Sequence, residues 1–245
     1  MDSFSGTERK PTFVLVHGAW HGGWCYGRTA LYLRELGYHV HTPTLSGLGE
    51  RSHLVSRGIG LQTHIDDVVN LLEWENLHDV VLCGHSYGGM VISGVAERVR
   101  RRIRRLSYID AFVPQPGQAL FDTLSVERVD EVRALTLERG FGWLIPPVPA
   151  TVFNVNTNDI GWVDGLCVPH PLRCFEERVH YTDRVTSLPR QYILATDFPG
   201  SHFPDVAERL RDEPGWRVDN IKTGHDVMID DPIGLAKLLI EGSRG

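Results

Sequence analysis

The 245-residue sequence has little cysteine: Cys25, Cys83, Cys167 and Cys174 are all of it, and no Cys-x-x-Cys spacing occurs among them. That sparseness argues against a disulfide scaffold, and the thiols are expected to be reduced. Cys83 lies in an apolar run, where a small buried thiol is the ordinary occupant. Long hydrophobic runs are missing too. None approaches the roughly 20 residues that span a bilayer, and Met1 to Pro11 is polar and charged, without the basic-then-apolar order of a signal peptide. The expectation is a soluble, cytoplasmic protein with no membrane partner. An excess of one charge is also lacking. A formal net charge of -6 and a pI near 6.0 create no field that would gather polyanions, which argues against nucleic acid as a partner. No internal repeat or low-complexity tract is present.

What is there is a hydrophobic content of 42%, enough for one sizeable core, so a single domain over residues 1–245 is expected. Apolar runs of strand length alternate with segments of helical period, the pattern of an α/β chain with a mostly parallel sheet flanked by helices. Thr12 to Val16, Tyr38 to Thr42, Asp79 to Cys83, Leu106 to Ile109, Gln191 to Ala195 and Trp216 to Ile221 read as strands. Tyr26 to Leu36, ended by Gly37, and Met90 to Arg102 read as helices, as does Ile233 to Ile240. A further helix over His64 to Trp74 puts Ile65, Val68, Val69, Leu72 and Trp74 on one face against the sheet. The arginines at 98, 100, 101, 102, 104 and 105 read as a solvated helix end favoured by the dipole. Between Ile109 and Gln191 lie about 80 residues of weak periodicity, rich in proline and aromatics that need burial; this is expected to be a cap, at about 115–188, over a site.

The strongest chemical signal is Val80-Val81-Leu82-Cys83-Gly84-His85-Ser86-Tyr87-Gly88-Gly89, a buried strand entering Gly-x-Ser-x-Gly and then a helix. Such a turn holds the serine in a strained conformation, with glycines removing the side chains that would collide as strand and helix close in. Ser86 is the expected nucleophile. His17-Gly18-Ala19-Trp20-His21-Gly22-Gly23-Trp24 follows the first strand, and a glycine-rich loop there can aim a backbone N–H at a reacting carbonyl oxygen. Ala19 N–H and Tyr87 N–H are the expected oxyanion donors, each worth about 3 to 4 kcal/mol of transition-state stabilisation. His17 and His21, four apart, could suggest a metal, but Gly18, Gly22 and Gly23 argue against the helix that would bring them together, and no metal site is expected. The base should follow the last strand, where His225 stands in Thr223-Gly224-His225-Asp226. For the acid two aspartates end strands suitably, Asp110 and Asp197; the second is where this order most often carries it.

These runs resemble the small α/β-hydrolases that include plant methyl-ester esterases, hydroxynitrile lyases and bacterial esterase-like proteins. The resemblance rests on Phe13 to Trp24, Gly84 to Gly89 and Gly224-His225, and implies the α/β-hydrolase fold from about Thr12 onward. In the plant members the acid aligns with Pro199, which cannot serve. Tyr108-Ile109-Asp110-Ala111-Phe112-Val113-Pro114 is similar to the stretch of bacterial members in which the acid follows the earlier strand, so the resemblance favours Asp110, with Asp197 as the alternative acid. The lyases carry lysine after the histidine and threonine in the oxyanion loop; here those places hold Asp226 and Gly18, which removes the cation that would stabilise cyanide. The expected activity is hydrolysis of a carboxylic ester or lactone, a small-molecule substrate with an apolar or aromatic group, through a Ser86 acyl-enzyme and without metal or organic cofactor. Trp143, Leu144, Ile145, Phe153 and Trp162 are candidates for the pocket wall. The alternatives are lyase-type chemistry on the same triad, or a receptor-like ligand binder. The oligomeric state, a homodimer included, stays open.

Overall fold

Thr12–Val16 is an unbroken apolar run, buried at every residue but the first, as a strand covered on both faces requires. In the computed structural model, which describes residues 10–198 and 200–244, this run is β1. Residues 1–9, read above for a leader, and Pro199, the position aligned with the plant acid, lie outside the described residues. The first half continues with α1 (Gly27–Glu35), β2 (His39–His41), α2 (Leu61–Trp74), β3 (Val80–His85), α3 (Gly88–Val99) and β4 (Ile103–Ile109). The chain then leaves the sheet for α4 (Val126–Arg139), β5 (Leu144–Ile145), α5 (Ile160–Leu166), β6 (His170–Pro171), α6 (Arg173–Glu176) and α7 (Asp183–Thr186). It returns as β7 (Arg190–Ala195), α8 (Phe203–Arg211), β8 (Trp216–Ile221), α9 (Val227–Asp230) and α10 (Pro232–Ser243).

The main sheet has the order β2-β1-β3-β4-β7-β8, and every pairing in it is parallel. This is an α/β-hydrolase fold, a parallel sheet flanked by helices. The period of two along β1 sends Val14 and Val16 into the core shared with α2 and α3, and Phe13 and Leu15 into the core shared with α1 and α10. The chain runs outward from β1 to β2 and then crosses back to β3 on the other side. At such a reversal the connections leave opposite ways and open a crevice at the carboxyl ends of the strands. The glycine-rich loop follows β1 and Ser86 follows β3, so both stand at that crevice.

Two expectations are corrected. Trp74 is 85% exposed, since it stands two residues, about 200°, beyond Leu72 on the helix and turns away from the face that Ile65, Val68, Val69 and Leu72 bury. Burying each of those four is worth about 1.5–3 kcal/mol relative to exposure. The arginine run is not one solvated helix end: β4 begins at Ile103, so Arg104 and Arg105 are strand residues. Arg105 is buried, Arg104 holds Asp79 in a two-pronged ion pair, and Arg98 pairs with Asp66.

Candidate active site

All of β3 is buried, and its last turn of chain delivers Ser86 in the left-handed region at φ 51°. A non-glycine residue there is strained by about 1–3 kcal/mol and persists only where its surroundings over-determine it. Here they do. Ser86 N–H donates to Ile109 O at 3.2 Å, while Gly89 N–H and Phe112 N–H both donate to Ser86 O, at 3.0 and 3.2 Å. The turn also needs glycine: a Cβ on Gly84 would sit 2.5 Å from the Gly88 carbonyl oxygen.

The loop after β1 runs directly against the serine, since a Cβ on Gly18 would fall 3.0 Å from Ser86 Cβ and 2.8 Å from His85 Nδ1. Trp20, at φ 66°, reverses the loop; its amide donates to His170 Nδ1 at 3.3 Å and its indole N–H to Ile145 O at 3.1 Å. Tyr87 follows Ser86 directly and Ala19 follows Gly18, which lies against Ser86; among the described residues neither N–H donates to a backbone carbonyl. The nitrogens of His17 and His21 diverge. His17 donates to Gly18 O at 2.8 Å and accepts from Leu45 N–H at 3.1 Å, and burial pushes it down to about 3, so it is neutral. His21 faces Ala19 O and Asp226 instead.

Asp110 follows β4 and is itself left-handed, at φ 41°. Its N–H donates to Ile193 O at 2.7 Å, and its Oδ1 accepts from Ala195 N–H at 3.1 Å, both on β7. Its Oδ2 lies 2.6 Å from His225 Nδ1. Because a carboxylate only accepts, that contact assigns the proton to Nδ1 and leaves the Nε2 lone pair free. Burial pushes the Asp110 carboxyl above the usual range, opposed by the hydrogen bonds from His225 and Ala195. Asp197, one strand further, is half-buried and does not meet His225 Nδ1; its N–H is tied to Thr223 O at 3.0 Å and its carbonyl takes Asn154 Nδ2 at 2.7 Å.

The His225 ring is packed by three aromatics, of which the sequence reading named only Phe153. Phe203 lies parallel to the His225 ring at 5.3 Å and 7°, Phe198 stacks at 4.8 Å, and Phe153 from the excursion leans on it at 5.1 Å. Phe203, Ala207 and Leu210 recur at helical spacing, which is the signal that could have marked α8 and, with it, the ring on the histidine. The excursion is stitched to both loops: Phe153 O accepts from His225 N–H at 2.9 Å, and Val168 N–H donates to Trp20 O at 3.0 Å. Of the candidate wall residues Phe153 is the one with a ring contact to His225. Ile145 is buried behind Trp20, Leu144 pairs with β6, Trp143 lies under Arg57, and Trp162 packs on Trp24 with Arg28 over it.

Among the described residues, one group of metal-ligand type is brought together, and it is one the sequence reading did not name. His64, His170 and Cys174, all buried, bring a ligand-type atom each within 4.8 Å of one another beneath Tyr87. Most of their atoms are engaged otherwise: His64 Nε2 faces Ser46 O at 3.0 Å, its Nδ1 faces the Tyr87 hydroxyl at 2.9 Å, and His170 Nδ1 takes the Trp20 amide, while His170 Nε2 has no hydrogen-bond partner among the described residues. Burial pushes His64 down to about 4 and Cys174 up, so the cluster is a neutral hydrogen-bonded layer supporting the elbow.

Known proteins agree with this architecture. Residues 13–238 match the model of the alpha/beta hydrolase family. The chain is 44% identical over 236 residues to a carbendazim hydrolyzing esterase of Nocardioides sp. (strain SG-4G), covering 93% of this chain and 97% of that one. It is 29% identical over 268 residues to a chloroplastic methylesterase of Arabidopsis thaliana, covering 98% and 76%. Among solved structures, an extracellular alpha/beta-hydrolase from a Paenibacillus species, described as sharing structural and functional homology with tobacco salicylic acid binding protein 2, superposes with a TM-score of 0.84. It is 26% identical, with 96% of this chain and 100% of that chain covered. No helix among the described residues is long and apolar enough to cross a membrane. The chain belongs to the alpha/beta hydrolase family, and it is a carboxylic ester hydrolase.

Proposed function

We propose that Ser86 is the nucleophile of this ester hydrolase and that its substrate is a small to medium carboxylic ester or lactone with an apolar or aromatic group. In this reading His225 Nε2 takes the hydroxyl proton as Ser86 Oγ attacks the carbonyl carbon, and returns it to the leaving alkoxide. Ala19 N–H and Tyr87 N–H hold the oxyanion of the tetrahedral intermediate. Water, deprotonated by the same imidazole, then releases the acid from the acyl-enzyme. Asp110 keeps His225 in the Nε2-basic tautomer and stabilises the imidazolium. No metal or organic cofactor takes part.

The observation that carries the reading is the 2.6 Å contact of His225 Nδ1 with Asp110, at the strand ends beside a left-handed Ser86. Phe153, Phe198 and Phe203 around the base support an apolar substrate group, with residues of about 115–188 serving as the cap that encloses it. Four free cysteines fit the cytoplasmic compartment expected from the sequence.

The test is turnover of p-nitrophenyl acetate, p-nitrophenyl butyrate and carbendazim by the wild type and Ser86→Ala, with fluorophosphonate labelling alongside. Rapid labelling at Ser86 and turnover lost in Ser86→Ala are expected. Turnover that persists in Ser86→Ala would refute the nucleophile, and failure to label an enzyme active on these esters would refute the activated serine.

A further inference from the structure

A carboxylate one residue after the base, in a loop at a sheet end, would ordinarily face water. Asp226 is fully buried instead, and each of its oxygens faces a histidine: Oδ2 lies 3.2 Å from His21 Nε2 and Oδ1 lies 3.8 Å from His85 Nε2. A charge taken out of water needs a partner of opposite sign. His21 supplies it by geometry. Its Nδ1 is 2.8 Å from Ala19 O and its Nε2 is 3.2 Å from Asp226; the carbonyl only accepts, and so does Asp226 as a carboxylate, so both ring nitrogens then carry protons. The ring is stacked on Trp24 at 5.3 Å. His85, beside Ser86, is different: its Nε2 donates to the His225 carbonyl at 2.9 Å and its Nδ1 is buried without a partner, which is the neutral form.

These groups come from three separate places, His21 from the loop after β1, His85 from the end of β3 and Asp226 from the loop after β8. The ligature therefore runs from the oxyanion loop to the base. The groups facing His21 are Asp226 beside the base, Cys167 from the excursion, His85 from the elbow and His17 within its own loop. Burial disfavours charge on His21, yet the Asp226 carboxylate holds it well above the usual histidine range. Burial likewise disfavours charge on Asp226, yet the His21 cation holds it well below the usual carboxylate range.

We propose that His21 and Asp226 form a buried imidazolium–carboxylate pair that acts as a positioning device, fixing the oxyanion donor at Ala19 relative to His225. The hydrogen bond to Ala19 O clamps the peptide unit immediately after the Ala19 N–H, so that donor cannot rotate away from Ser86. Asp226 anchors the other end of the ligature one residue from the base. Neither side chain touches substrate, and their role rests on the oxyanion assignment proposed above.

The full-length chain allows two independent readouts. In histidine-selective nitrogen NMR, one imidazole stays doubly protonated at about pH 8, well above the ordinary histidine value. Its signals vanish in His21→Gln and turn neutral in Asp226→Asn. In kinetics with p-nitrophenyl butyrate, each variant loses about ten- to a hundredfold in kcat, the scale of a misplaced reacting group, with KM within about threefold. Affinity for a trifluoromethyl ketone, which forms a tetrahedral oxyanion, falls in parallel with kcat/KM. The double variant His21→Gln/Asp226→Asn replaces the ions by two amides, avoids a lone buried charge and serves as the folded control, with the same kinetic loss. A wild-type His21 that is neutral at that pH overturns the pair. Folded variants with kcat and analogue affinity within about twofold of wild type overturn the positioning role. A wild type inactive on all esters overturns the functional reading instead, and the NMR signal still decides the pair.

Discussion

Two aspartates end neighbouring strands of one sheet, and their surroundings differ in every respect. Asp110, after β4, is buried, left-handed and folded back across the end of β7, where Ile193 O and Ala195 N–H hold its backbone and one carboxylate oxygen. Asp197, after β7, stays half in water, and its backbone continues into a turn bonded to Thr223 and Asn154. The identity of the residue at a strand end is therefore a weak guide to its role. What separates the two is backbone direction. A left-handed residue at the end of β4 points its carboxylate sideways over the next strand and out of solvent, where it meets a loop two strands away.

Removing each carboxylate in turn breaks the comparison hardest. Asp110→Asn should lower kcat by about 10⁴-fold, as expected when the orienting acid is lost and the imidazole takes the wrong tautomer, while Asp197→Asn should stay within about twofold. Steady-state kinetics on p-nitrophenyl butyrate read both. A second change leaves both aspartates in place and crowds the nucleophile: Gly18→Ala puts a methyl 3.0 Å from Ser86 Cβ. It should cost about 10²-fold in kcat, and because the methyl also falls 2.8 Å from Nδ1 of buried His85, the melting temperature should drop by a few degrees as well, on the order of 1–3 kcal/mol of overpacking.

The third aspartate, Asp226, sharpens the comparison through pH. Its folded carboxyl lies below the unfolded value, so its stabilisation is present above about pH 4 and fades as pH falls through the folded value. His21 lies above its unfolded value, so its stabilisation is complete below about pH 6.5 and fades as pH rises through the folded value. The melting difference between wild type and His21→Gln/Asp226→Asn should therefore peak between those limits and shrink on both sides. Its size should be on the order of a few degrees.

Much of the frame is legible in the residues themselves. β1 is an almost continuous apolar run, and β8 is bounded by Gly215 and Lys222, so their limits can be read closely; β3 runs two residues past its apolar stretch, through Gly84 and His85. The start of β4 is hidden because Arg104 and Arg105 interrupt its apolar run, although the Asp79 ion pair accommodates Arg104 and Arg105 is buried in the fold. α4 is harder to read for another reason: Val129, Val132 and Leu135 recur every three residues but are only half-buried, and Thr136 is its one buried residue, so the row is narrow and interleaved with charge. Ser86, Ala19, Tyr87 and His225 can be nominated because each follows a strand in the order this turn chemistry demands. His21 and Asp226 cannot be read as a pair. They are 205 residues apart, and only the approach of two loops from opposite ends of the chain brings their side chains together.

The central claim is that Asp110, and not Asp197, accepts the hydrogen bond from His225 Nδ1–H. The most direct measurement is the far-downfield proton NMR signal of a hydrogen-bonded imidazole N–H in wild type, Asp110→Asn and Asp197→Asn. The signal should be present in wild type and in Asp197→Asn and absent from Asp110→Asn. Its survival in Asp110→Asn, or its loss in Asp197→Asn, would contradict the account.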